Sequence, residues 1–179
     1  MTKLTVLEIP NPVLYEKAEE VKEVTPEIQT ILADMLETMY KTNGVGLAGN
    51  QVGLLKRLVV IDCALKDENP DPIKMVNPKI IARSEEMVCH NEGCLSIPRE
   101  YADVVRHAEV TVEYLDENGN KKTRKADGLL AIAIQHELDH LEGILFIDHL
   151  SPLKRKMLIK HLEKRRRKQA QLALETEEE

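Results

Sequence analysis

The sequence contains no tryptophan, one phenylalanine and four tyrosines among its 179 residues. That excludes an aromatic core and leaves Leu, Ile, Val and Met to fill the interior. No run approaches about 20 consecutive apolar residues, which excludes a membrane-spanning helix. The opening residues, MTKLTVLEIPNP, lack an apolar stretch of the secretory kind, so the expected compartment is the cytoplasm. Cysteine is scarce, with Cys63, Cys89 and Cys94 alone. So few thiols argue against a disulfide framework and for a reducing environment, where a cysteine is free to act as a ligand or nucleophile. Internal repeats and low-complexity linkers are also missing from the body of the chain.

Charge is plentiful but uneven. Residues 1–150 carry 16 Lys/Arg against 26 Asp/Glu, while residues 151–171 carry nine Lys/Arg and one Glu. The net charge of -6 therefore combines an acidic body with a strongly basic segment. This asymmetry points to a separate electrostatic task for that segment. Residues 1–150 are expected to form one domain, 151–173 a basic helix packed on it or extending from it, and 174–179 a disordered acidic tail.

The spacing predicts three helices. TPEIQTILADMLETMYKTNG has Thr25 as N-cap, Pro26 at the first helical position and an apolar repeat from Ile28 to Tyr40. DGLLAIAIQHELDHLEG starts at Asp127 and stops at Gly143. SPLKRKMLIKHLEKRRRKQAQLAL starts at Ser151 and Pro152. Between the first two helices, GVGLAGNQVG is too glycine-rich for a regular element, and LKRLVVIDCAL reads as a buried strand. PIKMVNPKII and ARSEEMVCHN read as shorter strands, and EVTVEYLD and KKTRKA pair through the turn ENGN. Strands that cluster between helices indicate an α+β fold, with mixed or antiparallel sheets around a central helix.

That central helix carries QHELDHLEG, an H-E-x-x-H pattern made by His136, Glu137 and His140. Residues four apart share one helix face, so both imidazoles can bind one ion. Glu137 is rotated by about 100° from His136 and suits holding a water at the flank. The bland alternative is a chance His pair beside a solvated Glu. A hydrolytic metal needs a third protein ligand. Downstream, Phe146 cannot ligate, Glu163 sits among the cations of KHLEKRRRK, and His149 lies past the helix stop. Upstream, Cys94 follows Gly93, which lets backbone approach closely, and its thiolate would complete a two-His, one-Cys set with an open position. Cys89 and His90 remain rivals or neighbours, and Cys63 reads as a small buried hydrophobe. Leu129, Ile132 and Ala133 extend the stripe of His136 and His140 as an apolar wall for a substrate side chain, with a plain core stripe as the alternative. Val45, between Gly44 and Gly46, offers a second apolar wall.

Three motifs in order, GVGLAGNQ at 44–51, EGCLS at 92–96 and QHELDH at 135–140, resemble those of the peptide deformylases, and the likeness covers roughly residues 5–160. The resemblance implies hydrolytic removal of the N-formyl group from the initiator methionine of nascent peptides. It implies Cys94, His136 and His140 as metal ligands. It makes Glu137 general base and then acid toward a metal-activated water, with Gln51 and the backbone N–H of Leu95 stabilising the oxyanion. The implied metal is Fe2+, replaceable by zinc, nickel or cobalt, in a monomer. It also suggests that the basic helix docks on ribosomal RNA. One departure is Gly49, where the family's first motif usually has a second Ala, and a looser loop is expected there. His90 and Tyr101 flank the second motif and are expected to alter pocket details.

Overall fold

The computed structural model describes residues 4–64 and 69–177. Thr25 caps the first helix, its Oγ1 accepting from the Ile28 N–H at 3.4 Å, and α1 then runs Pro26–Lys41. β2 (Leu58–Ile61) is the central apolar strand, with all four residues buried. β1 (Gly46–Ala48) and β3 (Ile73–Arg83) pair with it antiparallel on either side. β6 (Val110–Leu115) and β7 (Lys121–Ala126) form the expected hairpin and complete a five-stranded sheet of order β1-β2-β3-β6-β7.

Strand side chains alternate between faces, and β2 uses both. Val59 and Ile61 join Ile73, Met75, Val110 and Val112 beneath α2 (Gly128–Leu141), which contributes Ala131, Ile134, Leu138 and Leu141. Leu58 and Val60 join Leu32, Met35 and Met39 of α1 on the other side. A separate two-stranded sheet pairs β4 (Met87–Cys94) with β5 (Ile97–His107). Ile97 and Val104 pack there with Phe146, Ile147, Leu158 and Leu162, the last two from α3 (Pro152–Glu177). The architecture is the expected α+β arrangement around α2, with the basic helix seated by its first half.

Several expectations are corrected. The glycine-rich stretch does form regular structure: the short strand β1, then a single 3-10 turn over Gly49–Val52. Gly49 is not a source of looseness. A Cβ there would lie 2.5 Å from the Lys56 carbonyl oxygen and 2.8 Å from that of Leu54, so the bare backbone is what lets the turn seat against 54–56. β3 extends to Arg83, beyond the short strand expected, and β5 was not foreseen, because its charged residues Arg99, Glu100 and Asp103 mask the pairing. α3 continues through Glu177, so residues 174–177 are helical rather than tail; Ala, Leu and Gln are good helix formers, and Gln171 donates to Glu175 at 3.4 Å. Residues 178 and 179 lie outside the described residues.

Candidate active site

Helix α2 presents His136 and His140 one turn apart, and β4 delivers Cys94 opposite them at its final residue. Cys94 Sγ lies 3.2 Å from His140 Nε2. The thiol and the two imidazoles offer ligand atoms that all lie within 4.8 Å of one another. The third donor thus comes from upstream. Of its rivals, Cys89 is exposed, His90 lines the cleft outside the donor group, and His149 hydrogen-bonds Asp139 at 2.7 Å. Glu163 is exposed on α3. One thiol and two imidazoles suit a divalent metal of borderline softness, and the donors present fit such an ion.

The orientation of His136 is set from behind. Its Nδ1 is 2.9 Å from Glu92 Oε2, which leaves Nε2 for the donor group. Glu92 is itself gripped by Arg106, whose Nε and second terminal nitrogen reach its two oxygens at 2.7 and 3.0 Å. The remaining arm of Arg106 donates to Asp139 Oδ2 at 2.5 Å. Burial by itself would raise the Glu92 carboxyl, but the bonds from Arg106 and His136 outweigh it and hold the group down at about 2. Burial likewise opposes the charge on Arg106, and Glu92 and Asp139 more than restore it. For His136, burial lowers the imidazole, while Cys94 and Glu92 raise it well above its ordinary value. His140 is driven well below its ordinary value by burial and by the charge of His136, so it stays neutral and ready to donate a lone pair.

Glu137 is 4% exposed, and burial pushes its carboxyl up to about 7. Its Oε2 has no hydrogen-bond partner among the described residues. A side-chain carbon on Gly46 would overlap this carboxylate, which explains why the first motif needs a glycine beside the helix. Gln51 is held from both ends: its Oε1 accepts from the Ala48 N–H at 2.9 Å, and its Nε2 points to Ser96 Oγ at 3.2 Å and Cys94 Sγ at 3.5 Å. Its amide N–H groups therefore face the donor cluster.

A cleft of about 450 Å³ opens in front of these groups. Gly44, Val45, Gly46, Leu129, Ile132 and Ala133 all line it, as do Gln51, Leu95 and Glu137. Among the described residues β1 pairs with β2 alone, and on its other side the Ala48 N–H is taken by Gln51. Pro98, Arg99, Glu100 and Tyr101 form the remaining wall, with the Tyr101 ring lying where a Gly93 side chain would stand.

Sequence reasoning missed Glu92, Arg106 and Asp139. Glu92 was within reach, because residues two apart on a strand share a face and Cys94 lies two positions on. Arg106 carries no such signal; only the pairing of β4 with β5 and the seating of α2 bring it to Glu92 and Asp139.

Comparison with known proteins gives one answer. Residues 3–156 match the family model described as polypeptide deformylase. Peptide deformylase 2 of Vibrio parahaemolyticus is 51% identical over 165 residues, covering 92% of this chain and 96% of its own. The peptide deformylase of Agrobacterium fabrum is 46% identical over 164 residues, covering 92% and 96%. The crystal structure of peptide deformylase from Ehrlichia chaffeensis matches with a TM-score of 0.90 at 38% identity, covering 94% of this chain and 99% of that one. One from Legionella pneumophila matches with a TM-score of 0.87 at 41% identity, covering 94% and 98%.

Proposed function

This chain belongs to the polypeptide deformylase family and is a hydrolase of N-formyl-methionyl peptides; we propose that its own Glu137, Gln51 and Leu95 carry the reaction beside a metal held by Cys94, His136 and His140. The observation that supports this most is the convergence of a thiol and two imidazoles at the foot of a cleft, next to a buried and unpartnered carboxylate. Family resemblance favours ferrous iron as the ion, with zinc, nickel or cobalt able to take the same donors. When bound, the ion supplies Lewis acidity, which acidifies water and polarises the formyl oxygen.

The chain's residues do the rest. Gly44 and Val45, just ahead of β1, and Gly46, its first residue, offer backbone to the extended peptide. Leu129, Ile132 and Ala133 receive the methionine side chain. Glu137 takes a proton from the attacking water and returns it to the departing amine. The water oxygen bonds to the formyl carbon, the C–N bond breaks, and formate leaves. Gln51 Nε2 and the Leu95 N–H take the charge that develops on the formyl oxygen, each worth about 2.7–4 kcal/mol in comparable sites. The test is formate release from a formyl-Met tripeptide by protein purified without oxygen and assayed for metal. Turnover abolished by a chelator and restored by iron is the expected result, and no formate from iron-loaded protein would overturn the reading.

α3 supports a further contact with ribosomal RNA. Arg155, Arg165 and Arg166 are committed to Asp148, Glu100 and Glu8. Lys154, Lys156, Lys160, Lys164, Arg167 and Lys168 are exposed and have no acidic partner among the described residues. Such unpaired cations suit phosphates, and the logarithm of the binding constant then falls with the logarithm of salt by about 0.7–0.9 per phosphate neutralised. Changing these six residues to Gln should abolish co-sedimentation with ribosomes at low salt while leaving formate release intact. Unchanged co-sedimentation would remove α3 from ribosome binding.

A further inference from the structure

The second half of α3 does more in this structure than carry charge. Arg165 lies against the cleft wall: one terminal nitrogen donates to the Pro98 carbonyl at 2.8 Å and to Glu100 Oε1 at 2.6 Å, and the other to the Arg99 carbonyl at 3.2 Å. His161, one turn earlier, places its Nδ1 3.0 Å from the same Glu100 oxygen. Between those two carbonyls sits Arg99, with φ of 60°, a left-handed conformation that bulky L residues rarely adopt. Such a conformation persists only where its surroundings over-determine it. Here the surroundings are a planar guanidinium fork that matches two carbonyls and a carboxylate together. Glu100 is 7% exposed, so its partners on α3 are also what satisfies a buried charge. Pro98, Arg99 and Glu100 all line the cleft.

We propose that Arg165, with His161, is a positioning residue for substrate: it fixes the left-handed turn at Arg99 and thereby shapes the part of the cleft that receives the peptide beyond the formyl-methionine. The inference rests on the deformylase reading above. The hydrogen bonds of Cys94, Gln51 and the two histidines run to one another and to Ala48, Ser96 and Glu92 rather than to Arg165 or His161, and α3 reaches Cys94 only through the apolar cluster of Leu158 and Leu162. Loss of the fork should therefore weaken binding of residues downstream of methionine without slowing the chemical step.

The test compares two substrates, formyl-Met amide and a formyl-Met tripeptide, with the metal-loaded full chain. Arg165→Ala should raise KM for the tripeptide by about five- to tenfold, the loss expected when a charged, multiply bonded donor is removed. Its kcat on both substrates, and its KM for the amide, should stay within about twofold of wild type. Arg165→Lys keeps the charge and the stem but not the fork, so it should recover part of the tripeptide affinity and serves if the alanine variant folds poorly. Lys164→Ala, exposed and adjacent, should leave both substrates unchanged. Equal loss of kcat on both substrates together with a lowered Tm, or an unaltered tripeptide KM in both Arg165 variants, would overturn the proposal. Wild-type protein that releases no formate from either substrate would instead count against the deformylase reading.

Discussion

Glu137→Ala is expected to keep its full metal content while losing about 10²–10⁴-fold in kcat, the span that positioned proton transfer contributes in enzymes. The reason lies in the division of labour along one helix. His136 and His140 project to the donor cluster, whereas Glu137 is rotated to the flank and contributes no atom to it. Removing the carboxylate therefore spares the ligands and strips the group that moves protons between water and amine. Metal analysis and single-turnover formate release on the same preparation check both halves. Retained turnover would take Glu137 out of the mechanism. Metal lost in parallel with activity would mean that the carboxylate supports the ion itself. Glu137→Gln refines the comparison, because it preserves size and one acceptor while abolishing proton uptake.

Arg106→Ala carries the largest expected effect on stability. The change leaves Glu92, 4% exposed, without its principal partner and removes the cation beside Asp139. Breaking a buried pair in this way costs about 3–5 kcal/mol, since the surviving charge is left uncompensated. The pH dependence has a definite sign. In the intact protein Glu92 is held at about 2, below its ordinary 4.5, so its stabilisation is present above pH 4.5 and is lost as pH falls through 2. In the variant, burial acts on Glu92 with less opposition and its carboxyl moves upward. The deficit relative to wild type should then be largest at neutral pH and shrink on acidification, as the variant protonates first. Urea unfolding at pH 7 and at a pH below 4.5 reads this directly, and a deficit that grows toward acid would contradict it. Because Glu92 orients His136, metal affinity should fall as well, by about 10–100-fold as for comparable outer-shell partners. A variant that is unstable yet binds metal normally would separate the two roles.

Much of the site was legible in the sequence because its chemistry is written in short-range spacing. Two histidines four apart, a Gly before a Cys, and a capped apolar helix each report a local geometry that tertiary structure need only preserve. The hairpin of β6 and β7 and the start of α1 were legible for the same reason, from ENGN and from Thr25 followed by Pro26. What escaped depends on contacts between distant segments. β5 hides its pairing behind charged residues whose partners, such as Arg165 for Glu100 and Glu92 for Arg106, lie 65 and 14 positions away. Gly49 was misread because its meaning depends on the carbonyls of Leu54 and Lys56, and no local pattern announces that approach. The acidic end of the chain was misread in the opposite sense: composition suggested a tail, while intrinsic helix preference carried α3 on to Glu177.

Among the described residues the five-stranded sheet has two borders without a further strand, and each is blunted differently. A free border is a template on which another chain can add strands, so exposed borders invite runaway association. β1 is three residues long, enough to pair with a short extended ligand and too short to nucleate a continuous ribbon between two copies. β7 is longer, but four of its six residues are Lys or Arg, each ion-paired to an acidic residue of the same chain, so a second β7 brought alongside would meet charged side chains that already have partners. The molecule thus keeps one border available for transient pairing and denies both to permanent polymerisation.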